Sequence, residues 1–455
     1  MSERGNPAGR ALRPAGLLAA TMAGAAMLLT PAAARAEVPP DAVMAALDAS
    51  SKADAALRGF YVLRRYKPLW MGDDGPNAAA DALYRLVSTA RYDGLKPRSL
   101  QVERLRDLFR RSSSRDPEDL AKAEVFASRV FAAYVQGTRA PRDAGMTYQT
   151  NLLAPVAPSA SAALTAAAAA PSLEEYVSEL GWMHPFYGRL REALAARELD
   201  PAATELVQLN LERARAIPAN PAERYVLVDA AGARLFMYEH GKVVDSMKVV
   251  VGKPTAPTPM LAGLITNAVL NPYWNVPPDL VRERIAHNVN KTGLSYLRSG
   301  GYQALSDWSA TPKVLDPRKI DWKAVEAGER ELRVRQLPGT PNFMGKVKFE
   351  FPNSLGIYLH DTPDKALLKE EVRFASSGCV RLEDATRLGN WLFGKLPAVT
   401  KGVPEQVVPL PQPVPVYIAY FTAAPEGDRI VFRDDLYNRD QSQMAALAGN
   451  ERRSR

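Results

Sequence analysis

The spacing of apolar residues changes once along the chain, and the change divides it in two. Over residues 41–215 hydrophobic positions recur with the period of helices that bury one face. Within 77–91, Ala79, Ala82, Leu83, Leu86, Val87 and Ala90 fall on one stripe, and Gly94 follows as a stop signal. Asp116-Pro117 opens a second predicted helix through Phe126, Val130 and Tyr134, with Gly137 as its expected end. Residues 154–171, APVAPSASAALTAAAAAP, interrupt the pattern with a low-complexity tract. It reads as a flexible linker, with a short alanine helix bracketed by prolines as the alternative. A last helical stretch, 201–216, runs into Ile217-Pro218 and Asn220-Pro221, and this double proline marks a boundary.

Beyond the boundary the period falls to two. Residues 224–252 hold three strand-like runs separated by Ala231-Gly232 and His240-Gly241, the pattern of a β-meander. Further strand candidates are 264–270, 346–351, 356–360, 416–422 and 429–432. Between them, 272–336 is a long charged insertion containing Trp274, Trp308 and Trp322, with helical pieces such as 278–285. A segment of that length inside a β domain is expected to act as a lid or binding loop, to carry its own core, or both. No internal repeat is visible. The predicted class is α+β and multidomain, with an all-helical domain at 37–217, a mostly β domain at 218–400 that carries the insertion 272–336, and a Pro-rich connection, C-terminal strands and polar tail at 401–455.

Composition adds the compartment. Of 455 residues, 47% are hydrophobic and 24% charged, a globular balance that excludes a disordered chain. Residues 1–36 carry Arg4, Arg10 and Arg13, then a charge-free run holding LLAATMAGAAMLL, then Ala34-Arg35-Ala36, which is the layout of a secretory signal peptide. The competing reading is a retained membrane anchor, but Ala-rich, Leu-poor composition and Pro31 favour cleavage. The expectation is a periplasmic protein with no stable membrane span after signal removal. That removal takes four arginines and Glu3, lowering the formal charge from +8 to +5. So modest an excess suits an anionic envelope polymer and is not the concentrated patch of a nucleic-acid binder.

Charge and period leave the chemistry open, and one residue type narrows it. An exported chain with a single cysteine, Cys379, has a thiol without an intramolecular partner. His360 ends the strand-like run GIYLH, and Cys379 follows Ser376-Ser377-Gly378. A nucleophilic thiol needs a base, and imidazole takes a proton near neutral pH, so His360 is expected to favour the thiolate and to lower the titration of Cys379. Gly378 permits a sharp turn and offers N–H groups beside the sulfur for an oxyanion. Arg381 lies on the same side as Cys379 in extended chain and can fork onto a carboxylate. The other histidines, His184, His240 and His287, read as surface or loop residues without ligand spacing, so neither metal nor cofactor is expected.

Residues 224–396 resemble the L,D-transpeptidase (YkuD-like) catalytic domain, whose signature is a His, about fifteen residues, then Ser/Thr-His-Gly-Cys, one residue, and Asn or Arg. Here His360 precedes Ser376-Ser377-Gly378-Cys379-Val380-Arg381 by that interval. NPYWNVPPDLV (271–281), RQLPGTPNFMGKVKFEFPN (335–353) and YLHDTP (358–363) are similar to the large periplasmic YcbB-type subgroup, as are FYVLRRYKPLW (60–70) and RYDGLKP (91–97) of its scaffold region. Ser377 departs from the His found there in most of the wider family, and no recognisable peptidoglycan-binding module of the helical repeat type is present. The resemblance implies a cysteine-dependent acyltransferase of cell wall biogenesis and cell shape. Its partners would be peptidoglycan stem peptides as donor and acceptor, together with other envelope proteins. It assigns Cys379 as nucleophile, His360 as base, Gly378 and Cys379 N–H groups to the oxyanion, Arg381 to a stem carboxylate, and Ser377 and Tyr358 to the pocket. An L,D-carboxypeptidase using the same thiol, and a non-enzymatic wall-binding scaffold, are the alternatives.

Overall fold

The structure, a computed structural model, describes residues 40–140 and 143–453, so the signal segment 1–36 lies outside the described residues. Capping sets the helices of the first half. Asn77 accepts from the Ala80 N–H at 3.1 Å and starts Ala78–Ser88; Asp116 accepts from Glu118 and Asp119 N–H and starts the long helix Pro117–Arg139. That helix runs through Gly137 rather than ending there. Leu95 packs so closely on Gly137 that a Cβ would lie 3.0 Å from its Cδ2, so the glycine serves helix packing, not termination.

The alanine tract is a correction to the linker expectation. Ser159 caps a helix, Ala160–Ala169, whose Ala163, Leu164 and Ala167 are buried against Pro117–Arg139 and Ala55–Leu63. Small side chains of high helix propensity let three helices approach, and that burial supplies what a ten-residue helix lacks alone.

In the second half eight strands close into a barrel. Around it lie 347–350, 359–360, 380–382, 242–252, 234–239, 224–229, 406–419 and 261–270, and the last pairs again with the first through Val347↔Leu270 to Glu350↔Asn267. The period of two is visible along Arg224–Asp229. Val226 and Val228 join the barrel core with Met237, Val249 and Phe349, whereas Tyr225 and Leu227 join the helical core. Phe186 stacks on Phe421 at 3.9 Å across the same seam.

His184, expected at the surface, is fully buried in that seam. Its Nδ1 accepts from the Phe186 N–H, so Nε2–H donates to the Tyr225 hydroxyl at 2.8 Å, and burial holds its pKa down to about 3. It is a neutral clamp between the two domains.

Strand Gln406–Ala419 begins ten residues before its predicted start at 416. Four prolines mask it, and they are tolerated because Gln406–Pro415 pairs on one side only, with 261–270, across an irregularity between Pro409 and Val414; the second neighbour, 224–229, is met only from Val416. The C-terminal segment is tied to the scaffold. Buried Arg213 pairs with Asp440 at 2.7 Å and donates to Gln443 Oε1 at 2.8 Å, which seats helix Asp440–Arg453.

The insertion carries a three-stranded sheet of Trp274–Val276, Arg333–Gln336 and Tyr302–Leu305. Its core of Val276, Ile285, Val289, Leu297, Val325 and Val334 is separate from the barrel's. The three tryptophans have different fates: Trp322 is in this private core, Trp308 is exposed, and Trp274 packs on Phe343 at 5.0 Å.

Candidate active site

Strand Leu359–His360 runs parallel to Val380–Leu382, with Leu359 opposite Val380 and His360 opposite Arg381. This register brings together residues 21 apart in sequence. Before the second strand the chain turns at Gly378, whose φ of +107° strains any L side chain, and a Cβ there would meet Ile357 Cδ1 at 3.2 Å. Buried Thr258 fastens the turn: its hydroxyl donates to Gly378 O at 2.8 Å and accepts from the Gly252 N–H at 2.8 Å. Tyr437 OH donates to Gly252 O at 2.7 Å, and Arg439 donates to Thr258 O at 2.9 Å, so the C-terminal segment braces the loop that holds the cysteine.

The Ser376 hydroxyl accepts from the Gly378 N–H at 3.2 Å and donates to Cys379 O at 2.5 Å. One of the two expected oxyanion donors is therefore already engaged. The N–H of Cys379 itself is the donor beside the sulfur that remains.

Cys379 is half-buried, and its thiol points to Gly356 O at 3.6 Å rather than to a ring nitrogen. Burial pushes the thiol pKa up, against the opposing pull of the Tyr358 N–H and the charges of Arg381 and Lys348. The expectation of a lowered thiol titration is corrected, because loss of solvent outweighs the nearby positive charge. His360 is buried, and its Nδ1 lies 2.6 Å from the Asp361 carbonyl. A carbonyl only accepts, so Nδ1 carries the hydrogen and Nε2 presents a bare lone pair. Burial, then the Arg381 charge, hold this imidazole down to about 4, neutral at physiological pH.

A cavity of about 740 Å³ opens over these groups, lined by Cys379, His360, Ser377 and Arg381 from the barrel and by Trp274 and Arg284 from the insertion. Tyr358 is not among its lining residues; its ring lies under the Lys348 ammonium, 5.3 Å away.

Residues 223–416 match the L,D-transpeptidase catalytic domain of the YkuD type. The barrel thus matches an L,D-transpeptidase catalytic domain in sequence. Residues 55–194 match a Scaffold domain, the helical half. A Haemophilus influenzae protein whose name assigns it provisionally to the L,D-transpeptidases is 31% identical over 245 residues, 52% of this chain and 48% of that protein. The chain spans about half the length of that relative. Two solved structures are similar to part of this chain. One is an L,D-transpeptidase from Mycobacterium smegmatis, 12% identical over 43% of this chain and 58% of that one, at a TM-score of 0.22. The other is the catalytic domain from the E. faecium L,D-transpeptidase, 17% identical over 44% of this chain and 99% of that one, at 0.19.

Sequence reasoning named the cysteine, histidine and arginine of the domain but not the clamp. Thr258 sits in GKPTAPTPM, where the prolines announce a loop and nothing distinguishes one threonine from its neighbour. Tyr437 and Arg439 lie some 180 positions from the loop they brace, beyond any local signal.

Proposed function

We propose that this chain is a periplasmic peptidoglycan L,D-transpeptidase of the YcbB type, with Cys379 as nucleophile and His360 as proton acceptor. The observation that carries the reading is the His360–Asp361 hydrogen bond, which leaves a neutral imidazole with a bare Nε2 in the cavity that Cys379 also lines. A neutral thiol beside a neutral base favours proton transfer during attack over a preformed thiolate–imidazolium pair.

In this mechanism Cys379 Sγ rotates from Gly356 O and adds to the carbonyl of a donor stem while its proton passes to His360 Nε2. The oxyanion takes the Cys379 N–H, in a loop held rigid by Thr258 and Ser376. Collapse expels the amine of the terminal D-residue, which leaves with the proton from His360. The side-chain amine of an acceptor diaminopimelate then attacks the thioester, giving up a proton to Nε2, and the thiol recovers it as the new amide forms. Arg381 faces a stem carboxylate, and Ser377 lines the pocket. The insertion keeps water from the thioester, favouring amine over hydrolysis.

Mass spectrometry of muropeptides after incubating the protein with purified sacculi tests this. Cross-linked stems are expected, and the donor's length tells cutting after the third residue, with loss of one D-residue, from cutting after the first, with loss of the remaining stem. Only shortened, uncross-linked stems would make the protein an L,D-carboxypeptidase, and unchanged sacculi would remove the enzymatic reading.

A further inference from the structure

Two arginines, one from the barrel and one from the insertion, line the same cavity. Arg381 enters from barrel strand Val380–Leu382. Arg284 enters from the insertion, on the π-helical turn Val281–Ala286, an irregularity that often marks functional positions. Both are half-buried, and Arg284 is held over the Phe343 ring, its guanidinium carbon 4.1 Å from the centroid. Among the described residues neither guanidinium has an ion pair or a side-chain hydrogen bond with a carboxylate. Asp279 and Glu283 also line the cavity, but Glu283 pairs with Arg282 at 3.2 Å and Asp279 is exposed, as is Asp364 outside the lining. Arg381 is less basic than usual, first through burial and also through the charge of Arg284, so the two cations repel across the cavity. In the scaffold, buried Arg191 is paired with Asp93, whereas here two half-buried arginines line one cavity with no such partner among the described residues.

We infer that Arg284 and Arg381 form a two-cation site for a carboxylate of the acyl donor, and that this carboxylate fastens the insertion over Cys379. The inference rests on the transpeptidase reading for the identity of the ligand as a stem peptide, but not for the anion site itself. A carboxylate between two guanidinium forks removes their repulsion and satisfies both with charge-assisted hydrogen bonds. Because one fork belongs to the barrel and the other to the insertion, the ligand bridges them, and a donor lacking the charge leaves the cap without its tie. Arg284 is thus a specificity-determining residue that sequence periodicity places only on an insertion helix.

The test uses two alkylating agents that differ in one charge. Iodoacetate carries a carboxylate and iodoacetamide is neutral, so the ratio of their rates at Cys379 cancels changes in thiolate fraction and reports the anion site alone. In the mature protein this ratio is expected to fall about tenfold in Arg284→Gln and again in Arg381→Gln, the scale of a local electrostatic effect. Arg284→Lys should keep most of it. Arg298→Gln, which removes the same charge from an exposed position of the insertion outside the cavity lining, should leave it unchanged. An equal ratio in wild type and Arg284→Gln, or an equal fall in Arg298→Gln, overturns the site. A second arm compares acylation by a tetrapeptide donor with free and with amidated diaminopimelate carboxylate: wild type should prefer the free acid and Arg284→Gln should lose that preference. If no stem peptide acylates Cys379 while the iodoacetate ratio behaves as expected, the transpeptidase reading falls and the anion site stands. If stems acylate with the same preference in both proteins, the anion site does not serve the donor.

Discussion

Asp93 in the scaffold and Arg381 in the cavity are both charged groups drawn out of bulk water, and the fold handles them in opposite ways. Asp93 is 1% exposed and accepts from Tyr134 OH at 2.6 Å, Tyr187 OH at 2.8 Å and the Arg191 guanidinium. Glu124, also buried, accepts from Tyr61 OH and from the N–H groups of Leu69, Trp70 and Met71. Every buried lone pair of these carboxylates has a donor, as a region that only holds shape requires. In the cavity, by contrast, Nε2 of His360 has no hydrogen-bond partner among the described residues, the thiol is bonded weakly, and Arg381 and Arg284 line the same wall without an ion pair among those residues. Polar groups left incomplete by the protein are the ones a ligand can complete.

The comparison breaks most clearly at the proposed nucleophile. Cys379→Ala should abolish cross-link formation, read by muropeptide mass spectrometry, while denaturant unfolding shifts by no more than about 2 kcal/mol, as for a small side-chain deletion. Wild-type turnover in that protein would sink the mechanism. His360→Gln should slow cross-linking by about 10²–10⁴-fold, the range of a lost general base. Because the wild-type imidazole is neutral down to about pH 4, activity should show no loss from its protonation between pH 5 and 8. The thiol is raised, so wild-type iodoacetamide labelling should still be climbing as pH passes the free-thiol value of about 8.5, with His360→Gln following nearly the same curve. A labelling midpoint well below that value in wild type, lost in the variant, would restore an ion pair.

On the scaffold side the readouts exchange places. Asp93→Ala strands the Arg191 charge and two tyrosine hydroxyls in the interior and should cost about 3–5 kcal/mol of stability in denaturant titration. The labelling rate of Cys379 per folded molecule should stay at the wild-type value; a slowed rate would mean that the scaffold sets site chemistry and not only its support. The smallest effect belongs to the insertion. Its core is separate from the barrel's, so excising 273–336 should leave a folded barrel with an alkylatable Cys379. Product should move from cross-link toward hydrolysed stem, and an unchanged ratio in the folded variant would take the cap out of the mechanism.

How much was legible beforehand follows the range of the interactions. Helices with side-chain caps, Ala78–Ser88 and Pro117–Arg139, were readable because cap and period lie within a few residues of each other. The meander 224–252 was readable because its apolar runs are separated by the turn pairs Ala231-Gly232 and His240-Gly241, which lie next to them in the chain. Strands Phe374–Ser376 and Val380–Leu382 were not, since three residues cannot display a period, and Gln406–Pro415 hid behind prolines that only a one-sided pairing allows. His184 misled for a related reason: a polar residue before a proline looks like a loop whether or not a second domain covers it.

The amino-acid sequence by itself determined the change of period, the lone thiol with its histidine fifteen residues upstream of the Ser-Ser-Gly-Cys turn, and the presence of a long insertion, because each is a pattern of neighbours along the chain. Tertiary structure alone decided that His360 is neutral with Nδ1 bonded to the Asp361 carbonyl, that Thr258 and Tyr437 hold the cysteine turn, and that Arg284 and Arg381 line one cavity. Protonation and partnership depend on what displaces water around a group. That displacement is made by segments far apart in the chain, which local periodicity can orient toward a core without saying what lies on the other side.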